Sequence, residues 1–169
     1  RLEIVELEGG VKTYRAMVAG SVDISSSPGP FSIVGRAKGA PTKIILSNSP
    51  KLEASMVVQK DIATPADLKG KKIGIQEPGG FAGILARAVL RAGKVDPKDV
   101  SFVSIMSEDV PPLVARQIDS AILHIEQEMF AKRKLPDLHA IARMWELHPK
   151  QLYNALVVSE KSIDSRRPA

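Results

Sequence analysis

The sequence predicts an α/β protein built as two similar lobes, and three observations carry that expectation. Short β-branched runs alternate with helical stretches, the pattern of a sheet flanked by helices. The segments Val18-Ala19-Gly20-Ser21-Val22-Asp23 and Val114-Ala115-Arg116-Gln117-Ile118-Asp119 share a Val-Ala-x-x-(Val/Ile)-Asp pattern, each closing a helix and leading into a strand. The same register sets Ile4-Val5-Glu6-Leu7 against Val100-Ser101-Phe102-Val103, so a strand precedes each helix at equal spacing. The alternative to a duplicated unit is that similar helix-to-strand turns arose independently.

Taken in order, the expected strands cover residues 2–7, 22–25, 43–47, 55–59, 72–76, 100–104, 120–123, 139–142 and 155–158. The expected helices cover 11–19, 30–38, 65–69, 81–92, 109–116, 126–134, 149–153 and 160–163. Thr64-Pro65-Ala66-Asp67 combines an N-cap, a first-turn proline and an early acidic residue, all of which favour starting a helix there. Gly70 then stops that helix, and Lys71-Lys72-Ile73-Gly74-Ile75 starts a strand that opens the second lobe.

The 169 residues are 44% hydrophobic and 25% charged, which excludes disordered and collagen-like chains. This length supports one good core or two small lobes, but not two large domains. No apolar run approaches the roughly 18 residues of a membrane span. Zero cysteines exclude a disulfide scaffold, a thiol nucleophile and thiolate metal sites. A net charge of +5 mildly favours anions, while 4% aromatics and scattered basic residues speak against a nucleic-acid surface. The start at Arg1-Leu2-Glu3-Ile4 has neither an initiator Met nor the regions of a signal peptide, as expected of a processed or truncated chain.

Ile62-Ala63-Thr64-Pro65-Ala66-Asp67-Leu68-Lys69-Gly70-Lys71-Lys72-Ile73-Gly74-Ile75 closely resembles the interlobe connection of ABC-transporter solute-binding proteins of the nitrate/sulfonate/taurine type, a family that also includes binders of thiamine pyrimidine precursors. Further matching features follow in family order: the Ala19-Gly20-Ser21-Val22-Asp23 turn, Pro78-Gly79-Gly80-Phe81, Asp96-Pro97-Lys98-Asp99-Val100 and Gln117-Ile118-Asp119-Ser120-Ala121. The resemblance implies a type II periplasmic-binding-protein fold, two α/β lobes joined by crossover strands. Lobe one would comprise residues 1–53 plus 159–169, lobe two residues 61–150, and residues 54–60 and 151–158 the crossover or hinge strands. The family usually has a strand and helix before the segment that begins at Arg1 and more helices after Ala169. Without that first strand, lobe one would keep unpaired strand edges, so the resemblance predicts either association through lobe one or a longer parent chain.

In open α/β sheets the loops at the carboxyl ends of the strands face the ligand, which selects the site candidates. Ser26, Ser27 and Pro28 follow the first echo strand and either hydrogen-bond a polar or anionic ligand or form an ordinary turn with serine capping. Gly79 and Gly80 join a strand to a helix whose N-terminal N–H groups suit a carboxylate, sulfonate or phosphate; the alternative is a plain connection. The turn lacks the Gly-Lys-Ser/Thr ending of a P-loop. Phe81 either covers an apolar ligand face or packs in the core. His124 and Glu126 follow the second echo strand; ligand hydrogen bonding competes with capping and surface roles, and no third partner suggests a metal or an acid–base pair. Trp145, the only Trp, either stacks on a ligand or packs beside the sheet, and Asn48 is a weaker candidate that also fits a turn.

The expected function is therefore capture of a small organic or anionic solute between two lobes and its delivery to an ABC permease. That requires no catalysis, cofactor or metal, and places the protein in the periplasm or outside the cell beside its transporter. The alternatives are an effector-sensing domain of a transcription regulator and a pyrimidine-synthesising enzyme on the same fold. The enzyme resembles a protein with a Cys-rich motif, which the absence of Cys disfavours.

Overall fold

The computed structural model describes residues 3–7, 9–49, 51–105 and 109–165. It is a mixed α/β structure, and its backbone divides into two compact units: residues 1–52 with 150–169, and residues 53–149. None of the helices among the described residues is long and apolar enough to cross a membrane.

The first unit holds α1 (Gly10–Val18), β1 (Ile24–Pro28), α2 (Gly29–Ala37), β2 (Thr42–Ser49), β8 (Asn154–Ser159) and α7 (Glu160–Ser165). Its three strands run in the order β1-β8-β2, with β8 antiparallel to both neighbours. Tyr14 and Met17 of α1 are buried against Ala155 and Val157 of β8, and Val22, Phe31 and Leu152 close the edges of this small core. Pro28 is the N-cap of α2 and Pro30 stands in its first turn, where the fixed φ of proline suits a helix and its missing N–H costs nothing.

The second unit holds β3 (Ala54–Val58), β4 (Lys72–Ile75), α3 (Phe81–Ala92), β5 (Ser101–Ser104), α4 (Val110–Val114), β6 (Ser120–His124), α5 (Ile125–Lys134), β7 (His139–Arg143) and α6 (Met144–Leu147). Its strand order is β5-β4-β6-β3-β7. β4 lies parallel to β5 and β6, while β3 is antiparallel to β6 and β7. β3 is buried along its whole length, as an interior strand of apolar sequence must be. Val57, Leu113, Ile118, Ala121, Leu123, Ala131 and Leu138 form one core. Asp119, the last residue of the second echo, pins three strands: its carboxylate accepts the Lys72 N–H at 2.7 Å, its N–H donates to the Lys72 carbonyl, and its own carbonyl accepts from Gln59.

Two elements differ from expectation. Residues 3–7 form no strand, residue 2 lies outside the described residues, and Ile4 is 81% exposed. The equivalent segment by register is β5, which is held by β4; among the described residues the first unit has no strand in β4's place, so residues 3–7 have no ladder to join. The helix expected over 149–153 is absent, and a single helical turn stands at Met144–Leu147 instead. Pro149 ends that turn: it drives His148 out of the helical region, to φ −134° and ψ 65°, and lacks the N–H that would continue it. Elsewhere the shifts are small. The strand expected from residue 22 begins at Ile24, because Val22 packs on the α1 core, and residues 65–68 form a 3-10 turn rather than an α-helix. Asp67 still accepts the Thr64 N–H at 2.8 Å and its hydroxyl at 2.9 Å, as the capping pattern requires.

Candidate functional site

In the second unit β4, β5 and β6 are parallel, so their carboxyl ends meet at one edge of the sheet, where β3 begins and β7 ends. α3 starts there after a tight turn. Gly79 has φ +77°, and Gly80, the N-cap, donates its N–H to the Glu77 carbonyl at 3.0 Å. A Cβ on Gly80 would stand 2.6 Å from Glu77 Cγ and 3.1 Å from its carbonyl oxygen, so the turn is built for glycine. Among the described residues no side chain caps this 12-residue helix and its first turn holds no acidic residue, so the positive charge of its N-terminal end suits an anionic group.

The neighbouring helices are closed differently. His124 is the N-cap of α5, and its backbone N–H donates to Gln127 Oε1 at 2.9 Å. Asp109 stands at the N-cap of the short α4 and is buried, with 4% of its surface exposed. Its Oδ2 accepts Gln76 Nε2 at 3.0 Å and Gln127 Nε2 at 3.4 Å. Burial pushes the Asp109 carboxyl above its ordinary range, and the two amide donors and the charge of His124 offset only part of that. Ser104 Oγ donates to the Gln76 carbonyl at 3.4 Å, tying β5 to the same cluster.

A second group stands where β3 begins and β7 ends. Glu128 of α5 is buried; it takes an ion pair from Lys132 at 2.7 Å and another from Arg143. Arg143 also donates to Ser55 Oγ at 2.7 Å and lies over the Trp145 ring, 5.4 Å from its centre. Burial alone would raise the Glu128 carboxyl; the hydrogen bonds from Lys132, Arg143 and Ser55 outweigh it and hold the group below the usual carboxylate range.

Of the residues selected from sequence, Gly79, Gly80, Phe81, His124, Glu126 and Trp145 all belong to this unit and lie at strand-to-helix junctions after β4, β6 and β7. Phe81 and Trp145 are half-buried, and Glu126 is exposed in the first turn of α5. His124 and Glu126 acquire no metal-binding company: among the described residues no group of three or more His, Asp or Glu side chains could hold a metal ion.

The remaining candidates sit in the first unit, at the carboxyl ends of β1 and β2 beside the start of β8. Ser26 Oγ accepts from Asn154 Nδ2 at 3.3 Å, Pro28 pairs with Asn154, and Asn48 is exposed near the end of β2. Ser27 points to the opposite face from Ser26. With Ser25 it is buried on the core side, where neither hydroxyl has a hydrogen-bond partner among the described residues. The Gly29 N–H at the start of α2 donates to the Tyr153 carbonyl and Pro30 has no N–H, so α2 offers an anion fewer donors than α3 does.

Sequence reasoning missed Gln76, Asp109, Gln127, Glu128 and Arg143. Gln127 follows its N-cap at the spacing of a capping box, but the N-cap is a histidine rather than the usual Ser or Thr. Glu128 and Lys132 are four apart on a helix, a spacing that ordinarily marks a solvated pair rather than a buried one.

Comparisons with known proteins give the family and the fold of the chain. A protein of Brucella abortus (strain 2308) that carries the name "Putative binding protein" is 26% identical over 156 residues, covering 91% of this chain and 48% of its own. This chain thus spans about half the length of the curated relatives it matches. The crystal structure of the periplasmic aliphatic sulphonate binding protein SsuA from Escherichia coli matches with a TM-score of 0.76 at 19% identity, over 95% of this chain and 52% of that one. The periplasmic nitrate-binding protein NrtA from Synechocystis PCC 6803 matches with a TM-score of 0.70 at 16% identity, over 96% and 48%. These likenesses show that the fold is that of periplasmic binding proteins. The family model described as NMT1/THI5 like matches residues 1–169, and the chain belongs to that family.

Proposed function

We propose that this chain captures a small organic or anionic solute and hands it to the permease of an ABC importer, working in the periplasm or outside the cell without catalysing a reaction. The observation that carries the reading is the uncapped α3 terminus behind Gly79 and Gly80, next to the polar cluster of Gln76, Asp109, His124 and Gln127. These groups suit binding and orienting a solute. Ser26, Pro28 and Asn48, with Asn154, are the proposed contribution of the first unit, and Phe81 and Trp145 supply apolar surface for the body of the solute. The chain passes between units near residues 52–53 and 149–150, next to the segments 54–60 and 151–158 proposed as hinge strands. Calorimetry of the whole chain against small alkanesulfonates, phosphonates, carboxylates and nitrate tests this reading. We expect one saturable site for at least one class and weakening of about tenfold or more in Gly80→Ala, whose Cβ disturbs the turn. No binding by any class would overturn it.

The first unit supports a proposal about assembly. β1 pairs only with β8, and among the described residues no strand covers its other edge, next to which Ile24 is about half exposed. We propose that either a second copy or a further segment of a longer parent chain covers this edge. Light scattering should give a dimer or larger species, and a monodisperse monomer would contradict this.

A further inference from the structure

We propose that α5 of the second unit is a self-pairing surface, on which a second copy of this chain docks with its own α5 running antiparallel. The inference goes beyond the solute-binding reading and does not depend on it. On a helix, Glu126, Met129, Phe130 and Arg133 share about 100° of surface. The buried residues Glu128 and Ala131 lie on the opposite side. Met129 is 56% exposed and Phe130 52%, two large apolar side chains at the middle of the helix, and Ile125 extends the strip toward its start. At its far end Lys134 stands over the Phe130 ring, 5.6 Å from its centre, while Lys132 is held by Glu128.

The spacing of these residues chooses the occupant. It is symmetric about the midpoint between Met129 and Phe130, with an acid at one end, Glu126, and a base at the other, Arg133. A two-fold axis through that midpoint, in the plane between two antiparallel helices, sets Met129 against the partner's Met129 and Phe130 against the partner's Phe130. Each Glu126 then faces the partner's Arg133, with the partner's Lys134 beside it, so the same patch satisfies itself twice. A parallel pair would bring like charges together. The first unit is an internal control. Its helix α2 repeats the apolar pair 96 residues earlier, with Ile33 61% and Val34 53% exposed, but Pro30 and Ala37 stand where α5 has Glu126 and Arg133. Exposed apolar surface is thus common to both helices, whereas the charge pattern that fits a second copy belongs to α5. One face of a 10-residue helix is smaller than the roughly 800 Å² per partner of a standard interface, so the pairing is of the weak, concentration-dependent class.

Sedimentation velocity of the whole chain over a concentration series reads the association, with the fold of each variant checked by circular dichroism. We expect Glu126→Arg alone and Arg133→Glu alone each to weaken association by about tenfold or more, and the double variant to recover it. Both reversed charges oppose the helix dipole, so recovery in the double variant cannot come from a more stable helix. Cross-linking locates the contact. The chain has no cysteine, so a short bis-maleimide should join two copies of Met129→Cys and leave Ile33→Cys, at the equivalent exposed position of α2, unlinked. Single variants that associate as well as the wild type, a double variant that does not recover, or cross-linking no greater at position 129 than at 33 overturns the proposal. A monomer at every concentration up to about 1 mM also overturns it, and if that monomer binds phosphatidylglycerol vesicles the face belongs to an anionic surface instead.

Discussion

The sheet of the first unit and one side of the second unit's sheet are built alike, and their differences come from what lies beside them. At a constant spacing of 96 residues, α1 and α4 end at Val18 and Val114, β1 and β6 start at Ile24 and Ser120, and α2 and α5 start at Gly29 and Ile125. Both helix ends make the same three backbone bonds: Ala19, Gly20 and Ser21 donate to Arg15, Met17 and Ala16, and Ala115, Arg116 and Gln117 donate to Pro111, Leu113 and Pro112. The strand pairing repeats too. β1 runs along β8 as β6 runs along β3, with Ser25 opposite Val157 and Ala121 opposite Val57. β2 and β7 both break register against their central strand, between Ile44 and Leu46 and between Ala140 and Ala142.

The difference is that β6 has β4 on its other side and β1 has nothing there among the described residues. Ser-Ala-Ile-Leu of β6 is buried throughout, whereas Ile-Ser-Ser-Ser of β1 alternates between exposed and buried. A common local design thus carries an apolar strand where it is interior and a serine-rich one where it is an edge. The two units should accordingly respond in opposite ways to the same kind of substitution.

The largest expected effect breaks the interior strand. Leu123→Ala empties a fully buried position in the second core and should cost about 2–5 kcal/mol in urea unfolding. Next is Arg143→Ala, which strips Glu128 of one ion pair and Ser55 of its donor while Lys132 stays; about 1–3 kcal/mol is expected at neutral pH. The sign of the pH dependence follows from the depressed Glu128 carboxyl. Its folded pKa lies below its unfolded one, so its contribution is complete above the unfolded value of about 4.5 and is lost as pH falls through the folded value. Glu128→Gln should flatten that acid limb, and an unchanged limb would show that other carboxylates set it.

On the edge strand the direction reverses. Ser25→Ala removes a buried hydroxyl that has no partner and should stabilise by about 1 kcal/mol, whereas a loss of stability would mean that the hydroxyl is satisfied. The smallest effect tests the shared turn: Gly20 sits at φ +80° and Arg116 at φ +57°, so Arg116→Gly should gain about 0.5–1 kcal/mol in the same assay, and Gly20→Ala should lose a comparable amount.

Local rules made much of the fold legible. The Val-Ala-x-x-(Val/Ile)-Asp echo marks a real repeat because it carries a helix stop and a left-handed residue and leads directly into a strand, all within seven residues. α3 could be read residue for residue because its apolar spacing is regular and glycine stands at both ends. Residues 3–7 misled because their sequence favours a strand, yet strands need a neighbour that no local pattern supplies. In the site, Gly79 and Gly80 were visible as a turn. Asp109 and Gln127 come from separate elements and meet Gln76 only when β4 and β6 align, so no spacing along the chain announces them.

The most direct test of the account is native mass spectrometry of the whole purified chain, alone and with added small sulfonates, phosphonates, carboxylates and nitrate. The account predicts one small-molecule adduct per chain, retained from the source or acquired on addition, and its loss in Gly80→Ala. A chain that stays ligand-free with every added solute, or an adduct that Gly80→Ala leaves untouched, would contradict it.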